Sequence, residues 1–253
     1  MFDYKIILYI IFGVLPSLTW LFYYLSKDLH PEPKKTILRI FLWGALITIP
    51  VFFVQIGLMT LLAKIDLDPL ITSLIYWFLI IAFSEEIFKF FVVRFKIMNS
   101  PDLDEPLDIM LYMVVAALGF SALENILYLF NPATGLSFDE LVKRTLLLSF
   151  IRFIGATFLH TLSSAVIGYF MAVSYFDEKN KSLELASGII AATALHGLYN
   201  FSIMKLTGYQ ALVIPVIILL TLGFLTFLGF NKLKNMRGIT IIDHGKKNQT
   251  GKR

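Results

Sequence analysis

The sequence contains no cysteine. Thiol catalysis, disulfides and cysteine-ligated metal are therefore excluded, while nothing follows about redox compartment. It also contains no His-Glu-x-x-His, so the usual zinc-protease helix is missing. No aspartate falls in the middle of an apolar segment, which argues against an aspartate dyad. The nearest thing to a membrane serine-protease motif, Gly119-Phe-Ser121-Ala122, lacks a second glycine. No internal repeat or low-complexity tract is visible, and no loop is long enough to hold a soluble domain.

What is present is apolar. Such residues make up 57% of the 253, and the mean hydropathy is +0.76. A soluble domain has roughly 45–50%. The excess is gathered into seven blocks, near 6–25, 37–63, 71–95, 107–130, 148–175, 184–206 and 209–231. Each is close to the ~20 residues that a bilayer demands. The expected fold class is all-α, a polytopic transmembrane helical bundle of about seven spans, or eight if a further helix forms around 138–150. A single membrane domain is expected over 1–231, followed by a basic cytoplasmic tail over 232–253. The first block has no small-residue cleavage site and reads as a retained helix. Ser137 and Glu140 have the spacing of a capping box, which predicts a helix start there.

The net charge of +4 fits membrane topology better than nucleic acid. Seven of the 22 basic residues lie in the tail, which reads as a solvated anchor near anionic lipid. With seven spans, one side receives Lys27, Lys34, Lys35, Arg39, Arg94, Lys96, Lys179, Lys181 and the tail. The other receives Lys5, Lys64, Lys143, Arg144 and Lys205, with Arg152 as a further candidate. This bias predicts an N-terminus outside the cell membrane and a C-terminus in the cytoplasm.

A glutamate at the centre of a membrane helix costs about 2.5–3.5 kcal/mol on insertion scales. Glu85, Glu86 and Glu124 nevertheless fall inside apolar blocks, with His160, His196 and Lys89. In Ser84-Glu-Glu-Ile-Phe-Lys89, the two glutamates point about 100° apart on a helix. One can face a reacting centre while the other faces a supporting helix. Lys89 is within pairing reach of both. The alternative is a buried ion pair that only holds helices together. Asn125 follows Glu124 and offers a neutral donor for an oxyanion, and Tyr128 is one turn on and could orient Glu124. Asn200 is one turn after His196, on the same face. Small residues after His160 (Ser163, Ser164, Ala165 and Gly168) permit close helix approach.

These groups allow water activation by glutamate, with a second acid or a histidine protonating the leaving amine. Asn125 or Asn200 would stabilise the oxyanion. No cofactor is required for this chemistry. Glu86, Glu124, His160 and His196 could instead hold a divalent metal such as zinc. Buried glutamates and histidines also make proton relays in transporters, and a non-catalytic membrane scaffold is a third reading.

Glu85-Glu-Ile-Phe-Lys89, Phe120-x-x-x-Glu124-Asn125 with Tyr128, His160 with Gly168-Tyr169, and His196-Gly-x-Tyr-Asn200 together resemble the PrsW family of membrane proteases. The Asp28-Leu-His-Pro-Glu-Pro33 turn and Pro106-Leu-Asp108 add to the likeness, which spans about residues 15–205. The resemblance implies a glutamate-dependent membrane protease, distantly related to the CAAX prenyl protease and bacteriocin-immunity group. It implies a membrane-protein substrate, of the kind represented by a membrane-bound anti-sigma factor. By motif match Glu85 and Glu86 become the catalytic pair, and Glu124, Asn125, His160 and His196 complete the site. Lys89, Tyr128 and Asn200 support it. The CAAX group typically has an arginine four residues after its second glutamate. This chain has Lys89 three after, which argues against prenyl-protein substrates.

Overall fold

The computed structural model describes residues 4–27, 30–130, 136–176 and 180–236. Among them are nine α-helices and one π-helical segment. These are α1 (Tyr4–Leu25), α2 (Lys34–Leu62), α3 (Pro69–Leu74), the π segment (Ile75–Phe83), α4 (Ser84–Lys96), α5 (Pro106–Leu129), α6 (Phe138–Ile154), α7 (Ala156–Phe176), α8 (Lys181–Lys205) and α9 (Gln210–Asn235). The fold is the all-α polytopic bundle that the apolar blocks predict. Asp28 and Leu29, and the tail from residue 237, lie outside the described residues. Helix α9 continues to Asn235, with Lys232 and Lys234 in its last turn.

Six helical stretches are long and apolar enough to cross a membrane. They include α3, the π segment and α4 as one unbroken rod of 28 residues, Pro69–Lys96. Helix α8 is of similar length, but Lys181, Glu184 and several small residues make it less apolar. It is sheltered between α7, α9 and the π segment.

The expected span at 148–175 is differently built. The helix starts at Phe138, and the anticipated capping box is present: Ser137 N donates to Glu140 Oε2 at 2.9 Å and Glu140 N donates to Ser137 Oγ at 3.4 Å. It breaks at Gly155 and resumes as α7. The additional helix anticipated around 138–150 therefore exists, and with α7 it forms one candidate span, Phe138–Tyr175. Helix α6 runs parallel to α1, with Tyr4 against Phe138, Ser149 Oγ donating to Phe12 O, and Trp20 stacked on Phe153. Helix α7 continues in the same sense, from Phe158 under Trp20 to Gly168 against Met110. The two form one bent passage, so the alternation of the other helices is kept.

Helix α5 is the axle. Of its most apolar window 94% is buried, against 22–39% for the other five stretches. A helix apolar on every face belongs inside, and its neighbours α1, α2 and α7 cover it. Small residues let backbones touch. A Cβ on Gly44 would lie 2.1 Å from Ala116 O, and one on Gly119 would lie 1.9 Å from Phe41 O. At the end where α1 finishes and α5 begins, Glu32 accepts from the Tyr112 hydroxyl, and Thr36 Oγ1 donates to Asp102 Oδ2 at 2.6 Å. Asp108 caps α5 by accepting from Glu105 N at 2.7 Å. The proline turn and the Pro106-Leu-Asp108 motif thus meet as one clamp.

Candidate functional site

Four rods converge on one polar cluster: the π–α4 rod, α5, α7 and α8. The π segment ends at Phe83, with only Ser84 between it and the glutamate pair. Such wide turns recur at functional sites. Gly197 lets α8 close onto it, since a Cβ there would lie 2.7 Å from Phe78 Cδ1. That contact brings the adjacent His196 to the glutamates.

Glu86 is fully buried and fully engaged. Its Oε1 accepts from Lys89 Nζ at 2.7 Å, Ser163 Oγ at 2.9 Å and His196 Nδ1 at 2.8 Å. Its Oε2 accepts from Ser164 Oγ at 3.0 Å. Glu85 faces differently. Gln55 Nε2, from α2, donates to its Oε1 at 3.1 Å. Its buried Oε2 has no hydrogen-bond partner. That oxygen lies 3.8 Å from His160 Nδ1 and 3.7 Å from His196 Nε2. The two imidazoles meet edge to face with centroids 5.0 Å apart.

The tautomers follow from the partners. Lys89 can only donate, and its Nζ is 2.9 Å from His160 Nδ1. His160 therefore carries its hydrogen on Nε2 and gives it to Glu124 Oε2 at 2.9 Å. His196 gives its Nδ1 hydrogen to Glu86, which leaves Nε2 bare on the side of Glu85. Each histidine is thus oriented by a carboxylate on one nitrogen, the arrangement that fixes histidines at reactive and metal centres.

Glu124 is held in turn by Arg152 Nη2 at 2.6 Å. Arg152 Nε donates to Asn125 Oδ1, and its guanidinium lies 4.0 Å from the Tyr128 ring centroid. Tyr128 therefore acts on Arg152, and through it on Glu124. Asn125 spends its amide on Gly13 O at 3.2 Å and Thr157 Oγ1 at 3.0 Å. It ties α1, α5 and α7 together and has no donor left for an oxyanion. Asn200 is half-buried and its side chain makes no hydrogen bond among the described residues.

Sequence reasoning missed Gln55, Arg152, Ser163 and Ser164 as members of the cluster. Gln55 carried a usable signal, a polar side chain in the middle of α2. Arg152 lies near a helix end, where its charge bears on topology and gives no sign of a site. The serines looked like packing residues and are also donors to Glu86.

Glu85, His160 and His196 each offer a ligand atom, all within 4.8 Å of one another. The orphaned Glu85 oxygen, two nitrogens and carboxylate-backed imidazoles are a donor set that zinc accepts. The expected set was different, with Glu86 and Glu124 beside the histidines. The oxygens of those two that face the histidines are already occupied by Lys89, His196, Ser163, Arg152 and His160. The cluster opens on the Glu124 side, where side-chain exposure is 19% for Glu124 and 11% for Arg152 but 0% for Glu86 and Lys89. It lies off-centre along α5. Glu124 is about 8 Å from the end at Leu129 and about 27 Å from Pro106, at 1.5 Å per residue.

The PrsW-protease family model, described as "PrsW family intramembrane metalloprotease", matches residues 32–228. The chain is 30% identical to "Protease PrsW" of Oceanobacillus iheyensis, over 91% of this chain and 97% of that protein. It is 32% identical to "Protease PrsW" of Geobacillus kaustophilus, over 76% and 78%. With "Protease PrsW" of Bacillus subtilis it shares 26% identity, over 91% and 96%. No solved structure gives a significant match.

Proposed function

This chain belongs to the PrsW family of intramembrane metalloproteases, and we propose that it cuts a membrane-protein substrate with a water molecule held between Glu85, His160 and His196. The enzyme is a membrane-embedded protease. The observation that carries the reading is the buried, unpartnered Glu85 Oε2, which faces the nitrogens of two carboxylate-oriented histidines.

Water in that space gives one hydrogen to Glu85 Oε2 and the other to the bare His196 Nε2. Its oxygen is then free to attack the scissile carbonyl. Glu85 takes the first proton and returns it to the leaving amine. Glu86, neutralised by Lys89, keeps His196 in the tautomer that this requires. Glu124, held by Arg152, does the same for His160. Asn200, one turn along α8 from His196, is the amide with a donor to spare for the oxyanion. Hydrated substrate enters from the Glu124 and Arg152 side.

A divalent metal would be held by Glu85, His160 and His196, with Lys89 withdrawn from His160 Nδ1. Such an ion supplies Lewis acidity to the carbonyl and makes bound water a stronger nucleophile.

The basic-residue bias supports an N-terminus outside the cell membrane and a C-terminus in the cytoplasm. The family resemblance supports a membrane-bound anti-sigma factor as the class of substrate. The test is cleavage of a co-reconstituted single-span substrate. Glu85→Gln should lower the rate at least 100-fold, the lower bound for loss of a general base, with thermal unfolding unchanged. Full activity in that variant rejects the assignment. Chelation followed by metal add-back decides between metal-assisted and metal-free water.

A further inference from the structure

We propose that the groove between α1 and α9 is a binding site for one anionic phospholipid. The groove is a cavity of about 710 Å³ floored by α7. Its apolar lining is Trp20, Phe153, Phe158, Leu162 and Phe230, with the exposed Phe227 at its mouth. The floor is fixed, because Trp20 stacks on Phe158 at 4.4 Å and donates its indole N–H to Phe153 O at 3.1 Å. One end is polar and cationic, with Tyr23, Lys27, Asn231 and Lys234. Neither lysine pairs with a carboxylate among the described residues. Lys27 lies 5.1 Å from the Tyr23 ring centroid.

Length selects the occupant. From Gly223 to Lys234 the wall on α9 rises about 16 Å, close to half of the roughly 30 Å hydrocarbon core. The groove is one leaflet deep, with ammonium groups where that leaflet's phosphates lie. A lipid chain and its headgroup fit this pattern. A substrate helix needs the depth of both leaflets. It would also be walled off from the reacting groups, since Phe158 and Leu162 flank His160 at two residues on either side and so face away from it on α7. At Gly223 the wall is open, the nearest atom to a Cβ being Leu162 Cδ1 at 4.0 Å.

The site is independent of the catalytic reading, and its test does not measure cleavage. The full chain is exchanged into mixed vesicles of phosphatidylglycerol and phosphatidylcholine, extracted, and weighed by native mass spectrometry. The expected result is one retained phosphatidylglycerol in preference to phosphatidylcholine. The double substitution Lys27→Gln with Lys234→Gln, at an exposed and a half-buried position, should lower that preference about 30-fold. Gly223→Trp, which fills the groove, should remove the retained lipid of either kind while the protein still unfolds cooperatively. An unchanged preference in the lysine variant overturns the proposal. So does the absence of a one-to-one lipid adduct in the unsubstituted protein. Crosslinks from a photoactivatable residue at Phe227 that reach polypeptide instead of lipid would overturn it too.

Discussion

Glu85 and Glu86 are neighbours in the chain with opposite surroundings. Glu86 receives four donors, whereas Glu85 keeps a bare oxygen. Replacing them should therefore have separable effects. Glu86→Gln leaves Lys89 buried without its counter-charge, which costs about 3–5 kcal/mol. Its melting temperature should fall along with activity, while that of Glu85→Gln should not, as read by thermal unfolding in detergent. Arg152 is a positioning residue for Glu124. Arg152→Gln should lower cleavage about 10–100-fold if Glu124 orients His160 as proposed, the range seen when the hydrogen-bonded support of a site histidine is lost. Arg152→Lys, which keeps the charge but not the second bond to Asn125, should recover part of it. Equal rates in the unsubstituted protein and Arg152→Gln would remove Arg152 from the site.

At the level of helices, function depends on how closely backbones can approach. Helices α2 and α5 touch through Gly44 and Gly119, and no side chain fits between Gly119 and Phe41 O at 1.9 Å. Gly119→Ala must push the pair apart, at a cost of about 1–3 kcal/mol or more. Because α2 carries Gln55, the shift also disturbs Glu85. Gly57 sits on the same α2 with nothing within 4 Å of a Cβ. Gly57→Ala should be neutral or stabilising by about 0.5–1 kcal/mol. Paired unfolding curves check the contrast, and equal stability in both variants would contradict the packing described. The break at Gly155 matters for a similar reason. A Cβ there would lie 2.5 Å from the Tyr199 hydroxyl, so glycine lets α8 lie against the α6–α7 bend that delivers Arg152.

For the whole molecule, the bend decides topology. With α6 and α7 as one bent passage and α8 added to the six candidate spans, the described helices make seven passages, the count on which the basic-residue bias predicts ends on opposite sides. The natural sequence has no cysteine, so single cysteines introduced at Lys64, Tyr209, Asn99 and Asn180 report cleanly. Membrane-impermeant thiol reagent applied outside intact cells should label the first two and spare the last two. Labelling of Asn99 and Asn180 would invert the orientation, and labelling of both sets would break the alternation.

Much of this was legible from residue order alone. Apolar blocks of bilayer length determine a helical membrane protein, because lipid leaves backbone polar groups no partner outside a helix. Charged and imidazole side chains inside such blocks mark Glu85, Glu86, Lys89, Glu124, His160 and His196, because lipid rejects them. The Ser137–Glu140 cap was readable because it is local. Only the tertiary structure decided which carboxylate keeps a free oxygen, since that depends on Ser163, Ser164 and Gln55 arriving from other helices. It alone turned Asn125 into a tie and Arg152 into a partner of Glu124. Hydropathy records that a side chain must find company away from lipid. Which company it finds is set by helix packing between residues far apart in sequence.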